Sequence, residues 1–236
     1  MLSIYQYLAF FSSSFLLSLL LTPLIRRLAI KKGQVALPKE DRWHKKETAL
    51  MGGVGIFASF IMIWALAVNI TGWTAFGLPY LPMVLCASAI FFLGLTDDLF
   101  NMVPQHKLAG QIVIASILIV FGFRLDWTTS KTINLFLSII WLIGITNAFN
   151  LLDNMDGLAA GIALVSSFFL ALITLLSGNG YAYGQVLTIA VLAGSLLGFL
   201  LYNFQPASIF MGDCGSLFIG FLVAGCSRKA CSNSRT

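Results

Sequence analysis

The sequence predicts an all-α, polytopic integral membrane protein of about seven to eight transmembrane helices, and three observations predict it. Hydrophobic residues make up 58% of the 236-residue chain and charged residues only 10%, where soluble domains carry about 45–50% and about 25%. The mean hydropathy is +0.91, which leaves too few polar side chains to cover a water-facing surface. The apolar residues also fall in runs of the length that crosses a bilayer, about 20 residues for a helix.

The spans read in order are 4–25, 52–70, 79–96, 108–125, 132–150, 157–177, 183–203 and a shorter one at 214–226. They make one membrane domain over 1–226 and a polar tail over 227–236. The first run is too long for a cleavable signal, and no small-residue cleavage site follows it. Four cysteines without a CxxC pair or framework spacing argue against structural zinc, redox chemistry and a disulfide scaffold.

The charges orient the spans. Arg26, Arg27, Lys31, Lys32, Lys39, Arg42, Lys45 and Lys46 crowd the connection between the first two spans, which places that loop in the cytoplasm and the N-terminus outside. Alternation then puts the loops carrying Asp97, Asp98, Asp153, Asp156 and Asp213 on the same side, so that eight of the nine acidic residues share the cytoplasmic face. A topogenic role explains the basic loop. It does not explain why carboxylates gather opposite it, which calls for something cationic.

Three polar clusters interrupt the apolar runs. The third span ends at Asp97-Asp98, with Lys107 in the short loop that follows; adjacent carboxylates at a membrane boundary persist with a cation, a proton or a lysine beside them. The second cluster, NAFNLLDNMDG over 147–157, carries Asn147, Asn150, Asp153, Asn154 and Asp156. If it stays helical, Asn147, Asn150 and Asn154 lie within about 60° of one another, a ladder of oxygens and amides. The third, NFQPASIFMGDCGS over 203–216, sets Asp213 between Gly212 and Gly215. The plainer alternative is a polar helix cap for the first two clusters and a plain G-D-x-G turn for the third. Oxygen donors without a histidine or thiolate among them select a hard cation, Mg²⁺ or Mn²⁺. Such a cation, with Lys107, would let a diphosphate approach five carboxylates and stabilise charge developing in phosphoryl transfer.

These residues resemble the polyprenyl-phosphate N-acetylhexosamine-1-phosphate transferases. The matching pieces are RWHKKETALMGGVGIF (42–57), GLTDD with HKL downstream (94–108), NAFNLLDNMDGLA (147–159) and NFQPASIFMGDCGSLFIGF (203–221), in the family's order. The resemblance implies a multi-pass enzyme of the inner (plasma) membrane with its active site facing the cytoplasm. The implied reaction joins a UDP-N-acetylhexosamine to a polyprenyl phosphate with release of UMP, using Mg²⁺, as a first membrane step of cell-envelope polysaccharide synthesis. By position, Asp97 and Asp98 match the catalytic acidic pair, one of them the base for the lipid phosphate. Asp213 matches the essential Mg²⁺ aspartate, Asn150 a second metal-side ligand and Lys107 the phosphate-contacting lysine. Asn147, Asp153, Asp156, Asn203 and Phe210 match the nucleoside-sugar pocket, with Phe210 placed to stack on uracil. His44 and Lys46 sit in a shared loop motif, where substrate binding and topogenesis are equally served. The eight residues between Asp98 and Lys107 and the NFQPASIFMGD motif resemble the GlcNAc branch more than the pentapeptide branch. Direct attack and a covalent aspartyl intermediate both remain open.

The expected partners are the nucleotide sugar, the lipid phosphate and the bilayer, with no nucleic acid; a homodimer is compatible with the sequence. A cation-coupled transporter is the rival class, but transporters place ionisable groups near the bilayer midplane and these sit at span ends. Family members continue past MGDxGS into further spans and a histidine-bearing loop, whereas the histidines here are His44 and His106. The last apolar stretch, 215–225, would be about 16 Å as a helix, short of the ~30 Å core. A premature end is therefore expected, with poor folding and little activity from this chain alone.

Overall fold

The computed structural model describes residues 3–36, 48–72, 80–176 and 182–232. Eight helices run through them: α1 (Ile4–Lys31), α2 (Gly53–Thr71), α3 (Leu81–Phe100), α4 (Pro104–Val120), α5 (Lys131–Leu152), α6 (Leu158–Leu176), α7 (Ala182–Asn203) and α8 (Asp213–Ser232). Six are long and apolar enough to cross a membrane, while α4 and α8 carry shorter apolar stretches. The all-α polytopic architecture is as expected.

Local chemistry explains the boundaries. Ser3 and Gln6 form a capping box at the start of α1, satisfying N–H groups that a helix leaves without partners. Pro23 lies inside α1 and donates no N–H to the carbonyl of Leu19; that carbonyl instead accepts the Tyr202 hydroxyl at 3.2 Å. In an apolar surrounding such a replacement partner is needed.

Three sequence boundaries are corrected. Asp97 and Asp98 belong to the last turn of α3, which continues past residue 96 to Phe100 and stops at Asn101 in the left-handed region (φ 50°). Lys107 lies in the first turn of α4, not in a loop, because Pro104 is preorganised for a helix start. The last helix is 20 residues long instead of the thirteen of 214–226: beyond Gly225 no proline interrupts it, and Arg, Lys and Ala are good helix formers.

Packing divides the helices into two groups. α7 lies between α1 and α6, and α8 lies between α3 and α5; α7 and α8 touch each other little, and α2 contacts both. The α8 residues Leu217, Phe218, Phe221 and Leu222 are buried. Phe218 meets Phe57 and Phe60 edge-on, and Phe57 stacks on Phe91 with ring centroids 3.9 Å apart.

One end of the bundle gathers the connections. β1 (Val35–Ala36) pairs antiparallel with β2 (Thr48–Ala49), and Ala49 bridges in parallel to Ile209. Gly52 and Gly53 donate to the carbonyls of Phe210 and Met211, each at 2.8 Å. Arg26 at the end of α1 donates to the Ser208 carbonyl at 3.0 Å. The segment before α8 is thus pinned against the segment before α2.

Candidate active site

The site forms where α3 and α5 end and α4 and α8 begin. Asp98 accepts the backbone N–H groups of Asp213 (2.8 Å) and Cys214 (2.9 Å), so a carboxylate from α3 caps the N-terminus of α8, where orphan donors and the helix dipole favour negative charge. The approach needs glycine twice. A Cβ on Gly94 would lie 2.6 Å from the Asp213 carbonyl oxygen. Gly212 has φ +79°, and a Cβ there would lie 3.0 Å from the Asp98 carboxylate.

Asp97 takes the other direction. One of its oxygens accepts the Met102 N–H at 2.7 Å and the other the Lys107 ammonium at 2.8 Å. Lys107 also donates to Asp213 Oδ2, so the lysine bridges the carboxylates of α3 and α8. With its amide turned to complement its neighbours, Asn150 donates to Asp213 Oδ1 and Ser216 Oγ, both at 3.0 Å, and accepts from Lys107 Nζ at 3.1 Å. The adjacent aspartates therefore have different partners: Asp98 accepts two N–H groups of α8, and Asp97 the Lys107 ammonium and the Met102 N–H.

Asp153 follows the end of α5 and accepts the Gly212 N–H. Burial pushes its carboxyl well above the usual range, and the charges of Asp213, Asp98 and Asp156 push the same way. Among the described residues one lysine, Lys107, stands among the carboxyl groups of Asp97, Asp98, Asp153 and Asp213. The donors are oxygens, the set a hard cation prefers. Among the described residues no three His, Cys, Asp or Glu side chains form a ready-made metal cage. Mg²⁺ keeps waters and substrate phosphates and takes one or two protein carboxylates, and the oxygen donors available to it are the Asp213 carboxylate and the Asn150 amide.

The remaining predicted residues lie around this centre. Asp156 accepts the Ala207 N–H at 3.0 Å. Asn203, 2% exposed, donates to the Ile209 carbonyl at 2.9 Å and accepts the Gly157 N–H at 3.1 Å, tying the start of α6 to the loop before α8. Phe210 is half-buried and bonded through its backbone to Ala49 and Gly52. Asn147 exchanges hydrogen bonds with Gln111. Asn154 does not extend the ladder of Asn147 and Asn150: α5 stops at Leu152, and the Asn154 side chain turns back to the Leu151 carbonyl. His44 and Lys46 lie outside the described residues. Sequence reading missed Ser216, Gln111 and Gly94. Their signals were spacings: Ser216 is one turn past Asp213, Gln111 one turn past Lys107, and Gly94 one turn before Asp98.

Comparison with known proteins adds the following. Residues 80–230, covering α3 to nearly the end of α8, match the family model described as Glycosyl transferase family 4. The "Probable undecaprenyl-phosphate N-acetylglucosaminyl 1-phosphate transferase" of Bacillus subtilis is 35% identical over 91% of this chain and 60% of its own length. The "Decaprenyl-phosphate N-acetylglucosaminephosphotransferase" of Mycobacterium tuberculosis is 34% identical over 87% of this chain and 56% of its own. The "Phospho-N-acetylmuramoyl-pentapeptide-transferase" of Shouchella clausii is 33% identical over 91% and 70% respectively. The chain thus spans less than two thirds of the length of the first two relatives.

Proposed function

Because the chain belongs to glycosyl transferase family 4, we propose that it transfers N-acetylglucosamine 1-phosphate from UDP-GlcNAc to a polyprenyl phosphate and releases UMP. The observation that carries this reading is the bridge Asp97–Lys107–Asp213. It sets a cation between two carboxylates, with Asn150 and Ser216 alongside.

In the proposed reaction an oxygen of the lipid phosphate bonds to the sugar-side phosphorus of the diphosphate. The bond from that phosphorus to the bridging oxygen breaks, and UMP leaves. Asp98 is held by two backbone N–H groups of α8, whereas Asp97 faces the Lys107 ammonium that would hold the phosphate, so Asp97 is assigned as the member of the pair that takes the proton of the lipid phosphate. Lys107 holds phosphate oxygens and offsets their charge. Asp153 and Asp156 face the nucleotide sugar, and Phe210 stacks on uracil. Asp213 with Asn150 would hold Mg²⁺, which would supply charge neutralisation for the diphosphate.

The membrane is the bacterial plasma membrane and the site end is cytoplasmic. Arg26, Arg27, Lys31 and Lys32 support this orientation, since they lie at the end of α1 that meets the loop before α8.

The test is UMP release by the purified chain in lipid nanodiscs, with UDP-GlcNAc, a polyprenyl phosphate and Mg²⁺. Release that excess EDTA abolishes is expected, at a rate well below that of a full-length relative, since the chain spans less than two thirds of the length of the first two relatives. Turnover unchanged in EDTA would overturn the metal assignment. Release from UDP-MurNAc-pentapeptide but not UDP-GlcNAc would overturn the donor, and no release from either would overturn the reaction.

A further inference from the structure

We propose that Gln111 is a positioning residue: its pairing with Asn147 sets the rotation of α4 and so aims Lys107 at the two carboxylates. The proposal rests on the functional reading only for its consequence in catalysis. The placement of Lys107 is a property of the fold.

α4 sits at the edge of the bundle, packed mainly on α3 and α5. Its buried residues are Gln111, Ala115, Leu118 and Ile119. Three of these are apolar and hold the helix without specifying its rotation closely, since alanine and leucine pack in many registers. Gln111 differs. It is 1% exposed, and its amide is matched in both directions: Asn147 Nδ2 donates to its Oε1 at 2.6 Å, and its Nε2 donates to Asn147 Oδ1 at 3.3 Å. Asn147 is held in turn by the Ile143 carbonyl at 2.9 Å. An unpaired amide in an apolar surrounding is costly, so rotations or slides of α4 that part the two amides are disfavoured.

Lys107 lies four residues earlier on α4, and residues four apart share a helix face. On α5, Asn150 is one turn beyond Asn147. The Gln111–Asn147 pair is therefore one layer beneath the layer in which Lys107 meets Asn150, Asp97 and Asp213. Without the lower layer, the long lysine side chain on a loosely specified helix has no fixed origin.

The experiment measures acylation of Lys107 by a water-soluble succinimidyl ester in the full chain in nanodiscs. Buffer pH is fixed, EDTA is present, and the exposed Lys131 is the internal standard. In the wild type Lys107 is expected to label far more slowly than Lys131. Gln111→Leu should raise the Lys107 rate by about tenfold, the scale set by losing one buried hydrogen-bonded pair, with the Lys131 rate unchanged. The length-exchanged pair Gln111→Asn with Asn147→Gln should restore slow labelling, a rescue that simple loss of packing would not give. Should Gln111→Leu fail to give a monodisperse protein, Gln111→Met, unbranched and of similar length, replaces it with the same expected rise. An unchanged Lys107 rate in the folded single variant, or no recovery in the exchanged pair, would overturn the proposal. UMP release in the same preparations separates the two readings: an inactive wild type with slow, Gln111-dependent labelling refutes the function and leaves the positioning intact.

Discussion

The seam between α1 and α7 and the junction of α3 with α8 both bring backbones close and both bury polar groups, yet they use opposite chemistry. In the seam, Ser14 donates to the Val191 carbonyl at 2.8 Å and Ser18 to the Ser195 carbonyl at 2.7 Å. Gly194 and Gly198 let the two helices approach, with a Cβ on Gly198 falling 2.6 Å from the Phe15 carbonyl oxygen. Each of these serines is fully buried, neutral and paired, which is how small residues join helices in lipid. At the α3–α8 junction Gly94 and Gly212 make the same kind of approach, but the groups brought together are Asp98, Asp97, Asp213 and one lysine. Ionised groups in a membrane helix are expensive to keep. The seam spends glycines on adhesion, and the junction spends them on holding charge in place.

The comparison breaks most visibly at Asp213. Asp213→Asn should lower UMP release by about 10²–10³-fold, the size found when one electrostatic contact to the transition state is removed, while the unfolding midpoint in detergent shifts little. Loss of folding in step with activity would move Asp213 to the side of the seam. Gly198→Ala is the converse: the added methyl forces α1 and α7 apart and costs about 1–3 kcal/mol by overpacking, seen as a lower midpoint with activity per folded molecule retained. A fall in specific activity of the folded fraction would couple the seam to the site. The smallest effect is Ser18→Ala, which removes one hydroxyl–carbonyl bond worth about 0.6 kcal/mol. It should be detectable only as a slight drop in midpoint, and a larger drop would mean that the seam depends on its hydroxyls more than on its glycines.

Much of the site could be read from residue type and order. Asp97, Asp98, Lys107, Asn150 and Asp213 stand out because each is a polar residue at the edge of an apolar run, and the structure brings all five to one end of the bundle. Their division of labour could not be read. Asp97 and Asp98 are neighbours, and about 100° of helix rotation separates their side chains. That rotation sends one to Lys107 and the other under α8. Gln111 and Ser216 escaped notice because their one signal, a position one helical turn past Lys107 and Asp213, gains meaning only once the partner across the interface is known. Asn203 illustrates the reverse: conspicuous in sequence, it is 2% exposed and bonded to backbone on both sides.

The sequence by itself determined that this chain is a bundle of apolar helices with its acidic residues at the ends of spans, because hydropathy and charge segregation are summed along the chain and need no partner. Only the tertiary structure decided which carboxylate caps a helix and which meets the lysine. It also decided that α8, the least convincing span by length, is flanked by α3 and α5. The physical reason is that these outcomes depend on how far helices rotate about their axes and how closely their backbones approach. Those quantities are set by pairs such as Gly94 with Asp213 and Gln111 with Asn147, whose members lie 119 and 36 residues apart in the chain.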